Sequence, residues 1–113
     1  MSSLKHFGSV KTTKEFNRIY KNSKTVHTSQ FVLFFQSSKN EYKLGIVASK
    51  KVGNAVHRNR AKRLLRAHFL NSIDNLKTGK YVLVAKPNLL TSEYNKTTHE
   101  IFKALTRLKA FIK

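Results

Sequence analysis

Apolar residues along this chain follow two rhythms, one of period near four and one of period two. Thr12 or Thr13 can cap a helix with Glu15 in its first turn, and Phe16, Ile19 and Tyr20 then share a face at i, i+3, i+4 spacing. From Lys24 to Gln36 the residues are β-branched and aromatic (TVHTSQFVLFFQ), the polar SSKNE makes a turn, and YKLGIVAS follows, which together predict a three-stranded meander. YVLVAK, residues 81 to 86, is a further apolar run ended by Pro87, the only proline, and predicts a buried fourth strand.

Between those strands the period lengthens again. Ala61, Leu65, Phe69 and Ile73 recur every fourth residue with Leu64 and His68 beside them, a single stripe that predicts a helix packed on the sheet. Asn59, Arg60, Lys62, Arg63 and Arg66 fall on the remaining arc, and Arg58 lies at the stripe's edge, in the first turn. Thr91 or Ser92 can start a last helix with Ile101, Phe102, Leu105 and Leu108 inward and Lys103, Arg107, Lys109 and Lys113 in water. Period-two alternation puts Phe31, Leu33 and Phe35 on the core face of their strand and Val32 and Phe34 on the other. The expectation is one α+β domain over residues 1–113, its sheet covered by helices on one side so that the second face is available to a ligand.

Charge changes the picture. The 113 residues hold 23 Lys and Arg against 5 Asp and Glu, a formal net charge of +18. Self-repulsion on that scale calls for a polyanion at the surface, a nucleic acid or an anionic membrane. Residues 42 to 73 contain no acid, so the helix face lacks the i,i+4 partners that offset repulsion on ordinary exposed helices. Of six arginines, at 18, 58, 60, 63, 66 and 107, four crowd into nine residues. Guanidinium forks grip phosphate bidentately, and cations at a helix start oppose the macrodipole, so stability did not select this placement. With Gly53 and Asn54 in the preceding loop, RNA or DNA phosphate can approach the backbone.

Catalytic groups are missing by the same reading. Cysteine is absent, which removes disulfides, thiolate catalysis and cysteine-ligated zinc. Glu15, Glu41, Asp74, Glu93 and Glu100 are scattered, and His6, His27, His57, His68 and His99 show no metal-ligand spacing, so no catalytic or metal site is expected in the protein. No stretch approaches a signal peptide or a membrane span, which predicts a soluble, cytoplasmic protein.

The run SKKVGNAVHRNRAKRLLR, residues 49 to 66, resembles the signature of the protein subunit of bacterial ribonuclease P, an arginine-asparagine-arginine core opening a basic helix. TTKEFNRIY is similar to that family's first helix, SQFVLFF to its aromatic strand and YVLVAKP to its last strand; His57 departs from an apolar expectation, and the helix loses charge early, at AHFLNS. The resemblance implies the order αβββαβα, with a left-handed βαβ crossover around the basic helix where spacing alone would favour a right-handed one. It also implies a role in endonucleolytic removal of the 5′ leader from precursor tRNA, with hydrolysis carried out by a catalytic RNA subunit and magnesium bound mainly by RNA. The RNA subunit would then be held by Lys50, Lys51, Asn54, Arg58, Asn59, Arg60, Lys62, Arg63 and Arg66. The leader would lie in a cleft between the first helix and the sheet, at Phe16, Tyr20, Val32 and Phe34, where aromatic rings stack bases without reading them. The partners implied are RNAs, with no membrane and no requirement for a protein oligomer.

Composition alone would favour a small ribosomal or other structural RNA-binding protein, since such proteins are commoner and equally basic, and it is the ordered motif that discriminates against this reading. A double-stranded DNA reader lacks the preceding helix of a helix-turn-helix, and a membrane-surface helix would need an apolar stripe that the sheet already claims.

Overall fold

A computed structural model of the chain describes residues 7–39, 41–71 and 75–112. His6, Ile73, Asp74 and Lys113 lie outside the described residues. The elements run β1 (Phe7–Ser9), α1 (Thr13–Asn22), β2 (Lys24–His27), β3 (Phe31–Ser37), β4 (Tyr42–Ala48), α2 (Ala55–Leu70), β5 (Gly79–Ala85) and α3 (Tyr94–Arg107). A 3₁₀ turn precedes α2 at Lys50–Val52, and another precedes α3 at Pro87–Thr91.

Local chemistry explains most boundaries. Thr12 caps α1 by accepting from the Glu15 amide at 3.1 Å. Thr28 turns the chain between β2 and β3, its hydroxyl accepting from the Gln30 and Phe31 amides at 3.1 and 3.0 Å. The last helix starts later than Thr91 or Ser92, because Pro87 opens a 3₁₀ turn first and α3 begins only after Glu93.

The α+β order holds, but the meander does not. The sheet runs β1-β4-β5-β3-β2, so β5 lies between β3 and β4, antiparallel to the first and parallel to the second. Tyr81, Val82 and Leu83 of β5 are fully buried, so this strand, apolar on both faces, takes the centre while β3 and β4 are spread apart. Their connection bonds to the chain leading into β5, with the Ser38 amide donating to the Thr78 carbonyl at 3.3 Å and the Thr78 hydroxyl donating back to the Ser38 carbonyl. A fifth strand, β1, pairs parallel with β4; its Phe7 ring packs on Tyr42 and Phe69, at centroid distances of 4.8 and 5.8 Å.

The parallel pair β4 and β5, joined through α2, is the βαβ unit. Leu44 turns its side chain into the α2 layer while its carbonyl accepts from the Val10 amide, 3.2 Å away, on the β1 side. For an L residue, those two directions put β1 to the right of an upward-running β4 and β5 to its left, seen from α2. The crossover is therefore left-handed, against the usual preference.

The sheet is covered on both sides. Ala61, Leu65 and Phe69 of α2 and Ile101, Ala104 and Leu105 of α3 pack with Phe31, Leu33, Phe35, Leu44, Tyr81 and Leu83. On the opposite face, which the periodicity reading left uncovered and the family resemblance gave to the first helix, α1 buries Ile19 with Val10 and Val82, and Phe16, Tyr20, Phe34 and Val84 pack around them. Phe102 does not join the core as expected: Ile101, Ala104 and Leu105 take the buried side of α3, and Phe102 stays 54% exposed, its ring 5.2 Å from that of Phe111.

Candidate nucleic-acid interface

Two surfaces emerge from this scaffold, one charged and one apolar. The charged surface begins in the loop that leaves β4. Val52 is buried and anchors the 3₁₀ turn, and Gly53 follows at φ 138°, a conformation that a side chain resists. A Cβ on Gly53 would also meet the His57 imidazole at 3.1 Å. Asn54 is the N-cap of α2: its Oδ1 accepts from the His57 amide at 3.1 Å and lies 2.9 Å from His57 Nδ1. His57, a departure in sequence, thus has a local job: with Asn54 it holds the turn that aims the helix.

From that start α2 sends Asn59, Arg60, Lys62, Arg63 and Arg66 outward, all exposed, next to exposed Lys50 and Lys51. Arg58 stands apart. It is half-buried, and its Nη1 donates to the Gly53 carbonyl at 3.3 Å, so it braces the loop from the core side. Among the described residues, ion pairs join Lys43 to Glu15 and Lys80 to Glu41, and none reaches the cations of this face. Their charge is uncompensated within the fold as described. Val56, 73% exposed, adds an apolar contact among them.

The apolar surface lies on the other side of the sheet. Phe16, Tyr20 and Phe34 come together as expected: the rings of Tyr20 and Phe34 are 4.7 Å apart and those of Phe16 and Tyr20 6.2 Å, each half-buried. Burial raises the Tyr20 phenol above its ordinary pKa, which keeps it neutral and a hydrogen-bond donor. Val32, expected to line the cleft, is buried and serves as floor. Strand register extends that floor through residues missed in the sequence: Val32 pairs with Val84, and Val84 pairs with Val47 of β4. Both added valines are half-buried. The row could not be assembled from sequence spacing, because it needs β5 between β3 and β4.

Gly45 sets how closely α1 approaches. A Cβ there would come within 2.7 Å of Phe16 Cε1 and 3.0 Å of Val10 Cβ, so the aromatic ring of α1 rests on bare backbone. At its other side α1 is tied down by Glu15, which accepts from Lys43 Nζ at 2.8 Å; this bond holds the Glu15 carboxyl below its ordinary pKa and the Lys43 ammonium above its own. The cleft's valine row ends at Val47, two residues before Ser49, so its floor leads into the basic loop.

The described residues contain no group of three or more histidines, cysteines or acids able to hold a metal. Buried His68 lies in the core, 2.8 Å from the Thr98 hydroxyl and with Tyr94 packed on its ring at 4.2 Å. No helix among the described residues is long and apolar enough to cross a membrane.

Residues 4–109 match the Ribonuclease P family. The chain belongs to that family. It is 45% identical over 106 residues, 94% of this chain and 96% of the other, to the ribonuclease P protein component of a Nitratiruptor species. It is 37% identical over 99 residues to that of Macrococcus caseolyticus, covering 83% and 86% of the two chains. The fold is similar to that of the Staphylococcus aureus RNase P protein, with a TM-score of 0.79 at 28% identity over 91% of this chain and 96% of the other. A ribonuclease P protein works within a ribonucleoprotein that needs divalent ions, so an RNA partner follows from membership, and the ribosomal alternative falls away.

Proposed function

We propose that the α2 face docks the catalytic RNA of ribonuclease P while the α1–sheet cleft holds the 5′ leader of precursor tRNA, the two acting as one RNA-binding domain in the cytoplasm. The observation that carries this reading is the pairing of an unneutralised arginine face with a half-open aromatic cleft on opposite sides of one sheet.

Lys50, Lys51, Arg60, Lys62, Arg63 and Arg66 contact RNA phosphates, Arg60 and Arg63 through bidentate forks. Asn54 and Arg58 act by shaping the loop, and Asn59 adds a neutral donor among the cations. In the cleft, Phe16, Tyr20 and Phe34 stack unpaired bases over the valine floor, which suits a leader of any sequence. Magnesium is held on RNA phosphates, and the protein's part is to neutralise the charge that accumulates where two RNAs meet.

The test is to change Arg60 and Arg63 to alanine and measure affinity for the RNA subunit across a salt series. The fold should persist, affinity should fall, and the salt dependence should flatten by roughly 0.7 to 0.9 in log–log slope for each phosphate no longer neutralised. Unchanged affinity and slope would reject the assignment of this face.

A further inference from the structure

A second cationic site lies at the far end of the molecule from the Lys50–Asn54 loop. The loop leaves β4 beyond the register pair Ala48–Ala85, whereas Gly79 pairs with Ser37 at the opposite end of β5, six residues or about 20 Å away. There a cavity of about 580 Å³ is bounded by the end of α1, the start of β2, the end of β3 and the segment closing α3. Lys24, Lys77 and Lys109 reach it from three separate parts of the chain, and no acid is among its lining residues. None of the three ammonium groups has an ion pair among the described residues.

Two further features point to a ligand. The Ser23 hydroxyl oxygen and the Gln36 side-chain oxygen are buried, without a hydrogen-bond partner among the described residues, and both residues line the cavity. Of the two, the hydroxyl can offer hydrogen to an anion, while the amide oxygen only accepts. Lys109 follows the α3 C-cap at φ 56°, a position where glycine is favoured and a lysine carries a backbone cost.

We propose that this cavity binds a phosphate group through Lys24, Lys77 and Lys109, with the Ser23 hydroxyl donating to its oxygens. The phosphate belongs either to an RNA backbone, as a contact separate from both surfaces above, or to a free phosphate or nucleotide.

The experiment titrates inorganic phosphate into the full chain and follows backbone amides by NMR, in the unchanged protein, in a Lys24→Ala/Lys109→Gly variant and in the Arg60→Ala/Arg63→Ala variant. Glycine at 109 suits the backbone, so the first variant should keep or raise its melting temperature. The amides of Ser23, Lys24, Lys77 and Lys109 should shift saturably in the unchanged and the arginine-deleted proteins. Affinity at the cavity should fall about tenfold or more in the lysine variant, as expected for losing charge-assisted bonds. A parallel measurement of RNA-subunit affinity distinguishes the sources: an RNA-backbone phosphate predicts a weaker, less salt-dependent complex for the lysine variant, and a free phosphate predicts an unchanged one. No shift at these amides in the folded protein, or an equal shift with equal affinity in the lysine variant, would overturn the site.

Discussion

The two faces of the sheet are built to different standards of closure. Under α2 and α3, Phe31, Leu33, Tyr81 and Leu83 are fully buried; under α1, Ile19 and Val82 are just as buried, but Phe16, Tyr20, Phe34 and Val84 keep part of their surface open. Two helices of 16 and 14 residues cover the first face, and one of 10 residues covers the second. Apolar surface left in water forgoes roughly 25 cal/mol per Å². A single short helix resting on Gly45 therefore gives up stability that a larger cover would supply, and what it leaves is a cleft lined by aromatic rings. The closed face supplies the fold, and the half-open face leaves the cleft that we propose holds the leader.

That contrast predicts unequal responses to substitution. Phe69→Ala, on the closed face, should cost about 3 to 5 kcal/mol of folding stability, measured by urea denaturation, and should weaken every RNA ligand together once the protein begins to unfold. A cost below about 1 kcal/mol would mean that this face is less tightly packed than its burial indicates. Gly45→Ala should cost about 1 to 3 kcal/mol, because Val10 cannot yield as Phe16 can, and the displaced ring should alter leader binding more than RNA-subunit binding. Comparing both affinities for this variant shows whether α1 sets the width of the cleft.

The smallest effect concerns the tie between α1 and β4. The Glu15–Lys43 pair is partly exposed, so Lys43→Met should cost about 0.2 to 1 kcal/mol at neutral pH. Because the Glu15 carboxyl is held below its ordinary pKa, its contribution is complete above the unfolded carboxylate range and is lost as pH falls through the lowered folded value. The raised Lys43 value extends the same contribution up to the ordinary lysine range and removes it as pH rises beyond the folded one. Denaturation midpoints of both proteins, compared between pH 7 and 3, should converge at the acidic end; a constant difference would assign the effect to altered packing instead.

What could be read in the sequence was what one element decides alone. The Phe31, Leu33, Phe35 alternation and the arginine arc of α2 are local periodicities, and both appear in the structure on the expected faces. The position of β5 depends on pairing partners far apart in the chain, so the meander fails although each of its strands exists. β1, three residues long, is too short for a pattern. The same distinction holds at the sites: the basic face lies along one helix and its preceding loop, whereas Val47, Val84 and Val32 become neighbours only through register across three strands. Arg58 and Asn54 carry the right residue types for phosphate contact, yet their hydrogen bonds point back into the loop.

The most direct test of a leader cleft separate from the arginine face is the affinity of the assembled ribonucleoprotein for precursor and mature tRNA, measured with Phe34→Ala and Phe16→Ala alongside melting temperature. If these rings stack leader bases, each substitution should weaken precursor binding by up to about 1 to 3 kcal/mol, leave mature tRNA nearly unaffected, and leave RNA-subunit affinity unchanged. Equal losses for precursor and mature tRNA, or a large drop in melting temperature at both positions, would show that the α1 face is simply the thinner side of the core.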